Sequence, residues 1–406
     1  MIQIINKEEC NGCHACFNIC PKHCISMAED IEGFLYPQVN KELCIDCDLC
    51  EKVCPELNPI HESKNEQQAA YIVQIKDAKI RKESTSGGAF TAIAQWIIQQ
   101  NGVVFGATFD ENFIVKHSSV ENIENLYRFR NSKYVQSTIG KTYKQVKDFL
   151  KEGRLVCFSG TPCQIEGLYK YLQERHYENL ILVDVVCRAV PSPLLLRKYL
   201  QVQQNLLGGN FHRVLFRDKY YGYKYSTLSI YNNDTKRDYH RGVESDPYLR
   251  AFFSNLSVRP SCYNCKYKKK YRVSDFTLWD CFNVNDFSRK MDDDKGTTRI
   301  ITHTPKARLI LEEVKSKINI ESINVENAIC GVREMTESIP YNKRRSDFFD
   351  DLDSMQPQAV FQKYFPEDTH VRVERFVRLL SYKLGIYSQM KKIFKLFYKN
   401  KSNQKY

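Results

Sequence analysis

Short apolar runs alternate with helical periodicity through the middle of the chain. Four β-prone runs predict strands: AYIVQI, GVVFGATF, RLVCFS and LILVDVVC. Between the first two, GGAFTAIAQWIIQQNG has helical periodicity and ends at Asn101-Gly102. Pro162 and Pro191 follow the last two runs at predicted helix starts. Strands that alternate with helices predict an α/β core in which the strands are largely parallel.

Outside this core the pattern changes. Residues 1–58 hold two cysteine-rich runs, and the polar stretch 59–70 predicts a linker because it offers little to bury. Beyond about residue 210 the sequence predicts mixed short strands and a helix at 305–318. The expected division is a small N-terminal domain at 1–58, a linker at 59–70, two parts of a larger domain at 71–155 and 156–350, and a basic helical tail at 351–406.

Composition narrows the class of protein. With 42% apolar and 27% charged residues, the chain is expected to be globular and soluble, and no apolar run approaches the roughly 18 residues of a membrane helix. The start of the sequence does not resemble a signal peptide, so we expect a cytoplasmic location, where thiols stay reduced. Sixteen cysteines in that setting indicate metal binding or catalysis rather than disulfides.

The positive charge is concentrated at the C-terminus. From Arg372 onwards there are ten Lys or Arg residues and one acid, so this segment carries +9 of the net +12. Among its basic residues lie apolar ones that include Phe376, Leu379, Leu380, Leu384, Ile393, Phe394 and Phe397. A basic amphipathic helix is typical of contact with an anionic membrane surface or a partner protein, and a helix packed on the body is the alternative. Because the body lacks a basic face, no nucleic-acid partner is expected.

The two cysteine runs share the spacing C-x2-C-x2-C-x3-C-P. In a two-cluster site, the first three thiolates of a run hold one 4Fe–4S cluster and the fourth serves the neighbouring cluster. We therefore expect one cluster on Cys10, Cys13, Cys16 and Cys54, and another on Cys44, Cys47, Cys50 and Cys20. Zinc ribbons pair two CxxC halves and do not use this pattern. Cys24 is surplus and is predicted to be a packed thiol, and the segment resembles a bacterial two-cluster ferredoxin.

Three stretches of the larger domain carry further chemistry. STSGGAFT precedes a predicted helix, where backbone N–H groups can bind phosphate, although the local sequence alone favours an ordinary capping turn. FSGTPCQ places Cys163 in a first helical turn, a position that favours a thiolate. PSCYNC offers Cys262 and Cys265 as half of a zinc or cluster site.

Together these stretches resemble the β-subunit family of coenzyme F-420-reducing hydrogenases and F-420-dependent dehydrogenases, with a fused ferredoxin domain. NSKYVQS, VVCRAVPS, FRDKYYGY and RRSDFF add to the match, which runs over roughly residues 1–350. This chain departs from the family where SDFTLWDCFN keeps Asp280 but has Trp279 before it. The fold expected is thus of the α+β or α/β class: a small two-cluster ferredoxin-like domain followed by an α/β domain with a mixed sheet.

The resemblance implies FAD and a third 4Fe–4S cluster, and coenzyme F-420 remains a candidate ligand. Residues carried over to the flavin or substrate side are Ser84, Ser86, Gly87, Gly88, Lys133, Tyr134, Gly160, Thr161, Pro162 and Gln164. The candidate ligands of the third cluster are Cys163, Cys187, Cys262 and Cys265. No catalytic acid or base is predicted.

The favoured function is an oxidoreductase subunit that passes electrons between a redox protein or carrier and an organic substrate, through clusters and a flavin. One alternative is a non-catalytic electron-relay module with a degenerate flavin site. Another is an accessory protein of surface-polysaccharide biosynthesis.

Overall fold

The computed structural model describes residues 1–62, 64, 67–235, 237–387 and 389–390. Its strands are β1 Ile25–Glu29, β2 Leu35–Val39, β3 Ala69–Ile75, β4 Val103–Phe109, β5 Val115–Val120, β6 Val156–Gly160, β7 Leu180–Val185, β8 Phe211–Asp218, β9 Thr227–Asn232, β10 Tyr239–Arg241, β11 Phe276–Asp280, β12 Thr298–Thr302 and β13 Ile318–Ile323. Its α-helices are α1 Ala15–Ile19, α2 Leu49–Lys52, α3 Ala78–Glu83, α4 Ala89–Gln99, α5 Thr142–Lys151, α6 Pro162–Tyr171, α7 Pro193–Leu207, α8 Pro247–Phe253, α9 Pro305–Glu313, α10 Val325–Ile329, α11 Arg333–Thr336, α12 Arg345–Ser354, α13 Pro357–Tyr364 and α14 Thr369–Lys383.

The larger domain is built on an eight-stranded sheet of order β13-β3-β12-β11-β7-β6-β4-β5. The four strands β11, β7, β6 and β4 are parallel, and the flanking strands pair antiparallel. The central strands are covered on both faces, which explains their continuous apolar runs. The mixed sheet predicted from the sequence is confirmed, and the four predicted strands correspond to β3, β4, β6 and β7.

Helices cover both faces of this sheet. Helices α4 and α9 pack on one face, and α5 and α6 on the other. Side chains alternate accordingly: Val104 of β4 faces α4, whereas Val103 and Phe105 face α5 and α6. Cys157 of β6 is fully buried on the α4 face, as expected of a core residue. In the part of the chain that the structure describes, no helix is long and apolar enough to cross a membrane.

The N-terminal region packs directly on the larger domain. Ala15 and Val53 join the apolar cluster under α5 and α6. Glu32 receives two hydrogen bonds from the guanidinium of Arg345, at 2.7 and 2.6 Å, and both side chains are buried. Because one partner of this pair lies near each end of the chain, the ion pair fixes the N-terminal region to the body.

Candidate functional site

Two hollows in the N-terminal region are lined by the cysteines of the two runs. Each takes three cysteines from one run and the fourth from the other, which is the grouping predicted from the spacing. The first hollow is lined by Cys10, Cys13, Cys16 and Cys54, and the second by Cys20, Cys44, Cys47 and Cys50. Cys24, predicted to be a packed thiol, also lines the second hollow, with its Sγ 3.3 Å from Sγ of Cys20.

The two cysteine loops share an unusual backbone conformation. Gly12 and Asp46, each two residues after the first cysteine of a run, have φ angles of +71° and +48°, and His14 and Asp48 also have positive φ. A Cβ on Gly12 would lie 2.8 Å from Nη1 of Arg259, whereas Asp46 is exposed to solvent. The first loop therefore requires glycine at this position, and the second tolerates a side chain.

The four thiols around each hollow match the ligand number of a 4Fe–4S cluster. In the described residues, no three His, Cys, Asp or Glu side chains are placed to hold one metal ion. A 4Fe–4S cube takes four thiolates around its outside, so its ligands are spread around a small volume. Burial raises the pKa of Cys54 to about 11 and that of Cys13 well above its usual value. These thiols therefore need a positively charged group, such as iron, to ionise.

The structure also brings together the four cysteines proposed for a third cluster. Cys163 is in the first turn of α6, Cys187 follows β7, and Cys262 and Cys265 lie in and after a 3-10 turn at Pro260–Asn264. Burial raises the pKa of Cys163 well above its usual value, and the charges of the other three thiols raise it further. This electrostatic effect on Cys163 indicates that the other three thiols lie near it.

Helix α6 connects the first hollow to this third group of thiols. Gly167 lies one turn after Cys163, and a Cβ on it would lie 2.7 Å from Cβ and 3.0 Å from Sγ of Cys13. Tyr267, two residues after Cys265, receives a 2.5 Å hydrogen bond from Nδ2 of Asn11. The Asn11 side chain in turn accepts from the Cys13 amide at 2.9 Å. Two independent contacts therefore join the two thiol groups.

Arg259 brings a buried cation to the first hollow. It is fully buried, and its Nε donates to the Cys10 carbonyl at 2.7 Å. Its other nitrogens donate to Gln136 Oε1 at 2.8 Å and to the Leu35 carbonyl at 2.9 Å. Nη2 also lies 3.6 Å from Sγ of Cys10. A positive charge in this place stabilises negative charge on the thiolates of the hollow.

The Ser84–Gly88 segment packs closely against β12 and β3. A Cβ on Gly87 would lie 2.6 Å from the Thr298 amide nitrogen, and a Cβ on Gly88 would lie 2.6 Å from Cγ2 of Ile75. The Ser86 hydroxyl is 2.8 Å from that of Thr298, and the Ser84 hydroxyl donates to the Ile80 carbonyl at 2.7 Å. Close packing therefore explains both glycines, and hydrogen bonds within the protein explain both serine hydroxyls.

Gly160, Thr161, Pro162 and Gln164 form the transition from β6 to α6. Pro162 begins the helix, and Gln164 Oε1 accepts from the Thr161 amide at 3.0 Å in a capping box. Gln164 Nε2 donates to Ser137 Oγ at 3.0 Å. The side chain of Gln164 is thus used to fix the carboxyl end of β6, where ligands bind in open α/β sheets.

Tyr134 belongs to a partly buried polar network with Arg217 and Asp280. Nη1 of Arg217 donates to the Tyr134 hydroxyl at 3.0 Å and to Asp280 at 2.9 Å, and Tyr223 donates to Asp280 at 3.0 Å. Nη2 of Arg217 is buried and finds no hydrogen-bond partner among the described residues. Such an orphaned donor fits an acceptor group of a bound ligand.

Trp279 does not enter this network. It precedes Asp280 in β11, so the two side chains lie on opposite faces of the sheet. The indole packs with Ala328 and Met335, and the guanidinium of Arg299 lies 5.7 Å from its ring centre. The Trp279 side chain therefore packs away from Arg217 and Asp280, whereas the ring of Phe282 lies 5.0 Å from the Arg217 guanidinium.

Lys133, which precedes Tyr134 in the sequence, is a partly buried base. Its Nζ donates to the carbonyls of Arg128 and Arg130 at 2.9 Å, two bonds that a neutral amine can also make. Burial lowers the pKa of Lys133 to about 7. With this pKa, the Lys133 side chain gains or loses its proton near neutral pH.

We expect the stability of the protein to depend on pH through Lys133. Between pH 7 and the unfolded pKa of about 10.4, the unfolded chain binds more protons, so the free energy of unfolding rises with pH. Relative to Lys133→Met, the wild-type protein should gain about 1.4 kcal/mol per pH unit from about pH 7 to 9. Urea denaturation of both proteins at several pH values measures the difference in their free energies of unfolding. A difference that does not change with pH contradicts the prediction.

The contacts of His117 could not be predicted from the sequence. The side chain is buried, with Nε2 2.9 Å from the Ser159 carbonyl and Nδ1 3.1 Å from Ser137 Oγ. Burial lowers the pKa of His117 to about 4, so it supports the end of β6 as a neutral ring. Its partners are distant in sequence, and no local motif indicates them.

Comparisons with known proteins agree with the motifs. Residues 153–328 match the family described as the C terminus of the beta subunit of Coenzyme F420 hydrogenase/dehydrogenase, and residues 9–57 match a 4Fe-4S dicluster domain. A chain of the xenon-derivatised F420-reducing NiFe hydrogenase complex from Methanosarcina barkeri is 14% identical, with a TM-score of 0.44, over 75% of this chain and 94% of that chain. No curated protein sequence matches this one. The resemblance predicted from the sequence is confirmed.

Proposed function

We propose that this chain, which joins a 4Fe–4S dicluster domain to a region of the coenzyme F-420 hydrogenase/dehydrogenase beta-subunit family, carries electrons between a redox protein and a flavin that acts on an organic substrate. The two matches support an electron-transfer oxidoreductase. The path along the chain, the flavin and its substrate form the further part of the proposal.

The observation that carries the proposal is the double role of α6. This helix presents Cys163 to the third group of thiols and Gly167 to Cys13 of the first hollow. Absence of a side chain at Gly167 allows the two sites to approach each other. Clusters held at both sites would exchange single electrons, the chemistry that iron–sulfur centres supply.

The second hollow is the proposed contact with the redox partner. Cys47 is exposed, and the neighbouring apolar residues Leu43 and Ile45 are 54% and 56% exposed. In the first hollow, by contrast, Cys13, Cys16 and Cys54 are buried. A partner protein could therefore reach the second hollow but not the first, so electrons would pass the second before the first.

The proposed flavin side lies at the carboxyl ends of the parallel strands. Arg217, Lys133 and Tyr134 would face the flavin, with the free Nη2 of Arg217 as a donor to it. A flavin suits this place because it joins one-electron and two-electron chemistry. Coenzyme F-420 is a candidate organic substrate for the same side, since this region matches the beta-subunit family.

The composition of the purified protein tests this proposal. Anaerobic purification should yield about 12 iron atoms and one flavin per chain, four iron atoms for each of the three thiol groups. About 8 iron atoms without flavin would overturn it and would leave a two-cluster relay module on a body without redox chemistry.

A further inference from the structure

Unlike an ordinary surface helix, α14 turns polar side chains towards the body of the protein and apolar side chains towards solvent. Its polar residues Glu374, Arg378 and Ser381 are buried against the body. Arg378 donates two hydrogen bonds to Glu374, at 2.8 and 2.6 Å, and one to the Tyr387 hydroxyl at 3.1 Å. It also lies 3.9 Å from the buried carboxylate of Glu244. These contacts fix the polar face of the helix inwards.

The outward face of the helix carries an apolar stripe. Val373, Phe376, Leu380 and Leu384 are 56%, 65%, 44% and 63% exposed. Their spacing of three, four and four residues places them in one line along the helix, which we call the α14 stripe. A contiguous exposed apolar surface of this kind marks an interaction site.

Basic residues accompany the α14 stripe. Arg372 and Lys383 are exposed on the helix, and from Arg372 to the C-terminus ten basic residues meet one acid. That acid, Glu374, is already paired with Arg378 in the interior. A second copy of the chain would bring like charges together, so charge opposes a dimer formed through this surface. Anionic lipid headgroups over an apolar interior complement both the bases and the stripe.

We propose that the α14 stripe binds the surface of a membrane that contains anionic lipids. Phe376 and Leu380, at its centre, enter the boundary between headgroups and acyl chains, and Arg372 and Lys383 bind the headgroups. The residues 391–406, which include Ile393, Phe394 and Phe397 of the predicted basic helix, lie outside the described residues. This surface role does not rest on the redox proposal.

Vesicle flotation tests the proposal with the full-length protein. Binding to phosphatidylcholine vesicles that contain phosphatidylglycerol should be at least about tenfold stronger than to pure phosphatidylcholine, and should weaken with salt. The double substitution Phe376→Ser and Leu380→Ser should weaken binding about tenfold. Leu309→Ser, which changes a 68% exposed leucine of α9, serves as the matched control and should have no effect.

Three results would overturn the membrane proposal. The first is no binding to anionic vesicles, and the second is unchanged binding of the double variant, which would assign the contact to another segment. The third is a dimer in solution that the double variant dissociates, because the α14 stripe would then belong to a second copy. Equal iron content in all variants verifies that each is folded.

Discussion

Replacing Cys265 by serine will remove about four of the expected 12 iron atoms per chain and leave the other eight in place. Only the thiolates of Cys163, Cys187 and Cys262 would remain, and we expect three thiolates not to retain this cluster. The cysteines of the first and second hollows are on other loops. Iron analysis with electron paramagnetic resonance of the reduced protein measures the loss.

The matched control for this substitution is Cys330→Ser. Cys330 is an exposed thiol at the end of α10, and it lines neither of the two hollows. This variant should retain all of its iron. If Cys265→Ser also retains it, or if it loses iron from all three sites, the third group of thiols is not an independent cluster site.

Arg259→Met will lower the reduction potential of the cluster in the first hollow. A reduced cluster carries one more negative charge, which the buried guanidinium beside Cys10 stabilises. A unit charge about 6 Å away at an effective dielectric constant of about 20 contributes ~3 kcal/mol, on the order of 100 mV for one electron. A potentiometric titration followed by electron paramagnetic resonance measures this shift.

Arg259→Lys separates charge from hydrogen bonding at this position. Lysine keeps the charge but lacks the fork that reaches Gln136 and Leu35, so the potential should fall less than in the methionine variant. An unchanged potential in an Arg259→Met protein with full iron content would contradict the role assigned to this charge. Loss of iron alone would indicate a structural role for Arg259.

The sequence predicted the grouping of the ferredoxin-type cysteines because the chemistry lies in local spacing. Each run supplies a loop and one helical turn, and the fourth thiol points towards the other run. The parallel strands β6 and β7 were also predictable, since strands buried on both faces leave continuous apolar runs.

The links between sites could not be predicted, because they depend on residues far apart in the chain. From the sequence alone, Gly167 would be expected only to weaken helix α6. In the structure, Cys13, more than 150 residues earlier, packs against it. Arg259 has no motif, and its partners Cys10 and Gln136 come from two other segments. At Gly87 and Gly88, by contrast, a local motif was visible in the sequence and suggested phosphate binding. The structure shows that close packing also requires glycine at both positions.

The orientation of the C-terminal helix could not be predicted from the sequence either. Its periodicity predicted an amphipathic helix, but periodicity does not tell which face is turned to the protein. The buried pair of Arg378 and Glu374 decides this, and a buried ion pair cannot be read from hydrophobic patterning.

The most direct test of the electron path is rapid mixing of the anaerobic protein with a reduced ferredoxin-type donor, in the wild-type protein and in Cys265→Ser. In the wild-type protein the clusters should be reduced first and the flavin should then bleach. In the variant, loaded with the same amount of flavin, the N-terminal clusters should still be reduced while the flavin stays oxidised. Flavin reduction at the same rate in both proteins would contradict a path through the third group of thiols.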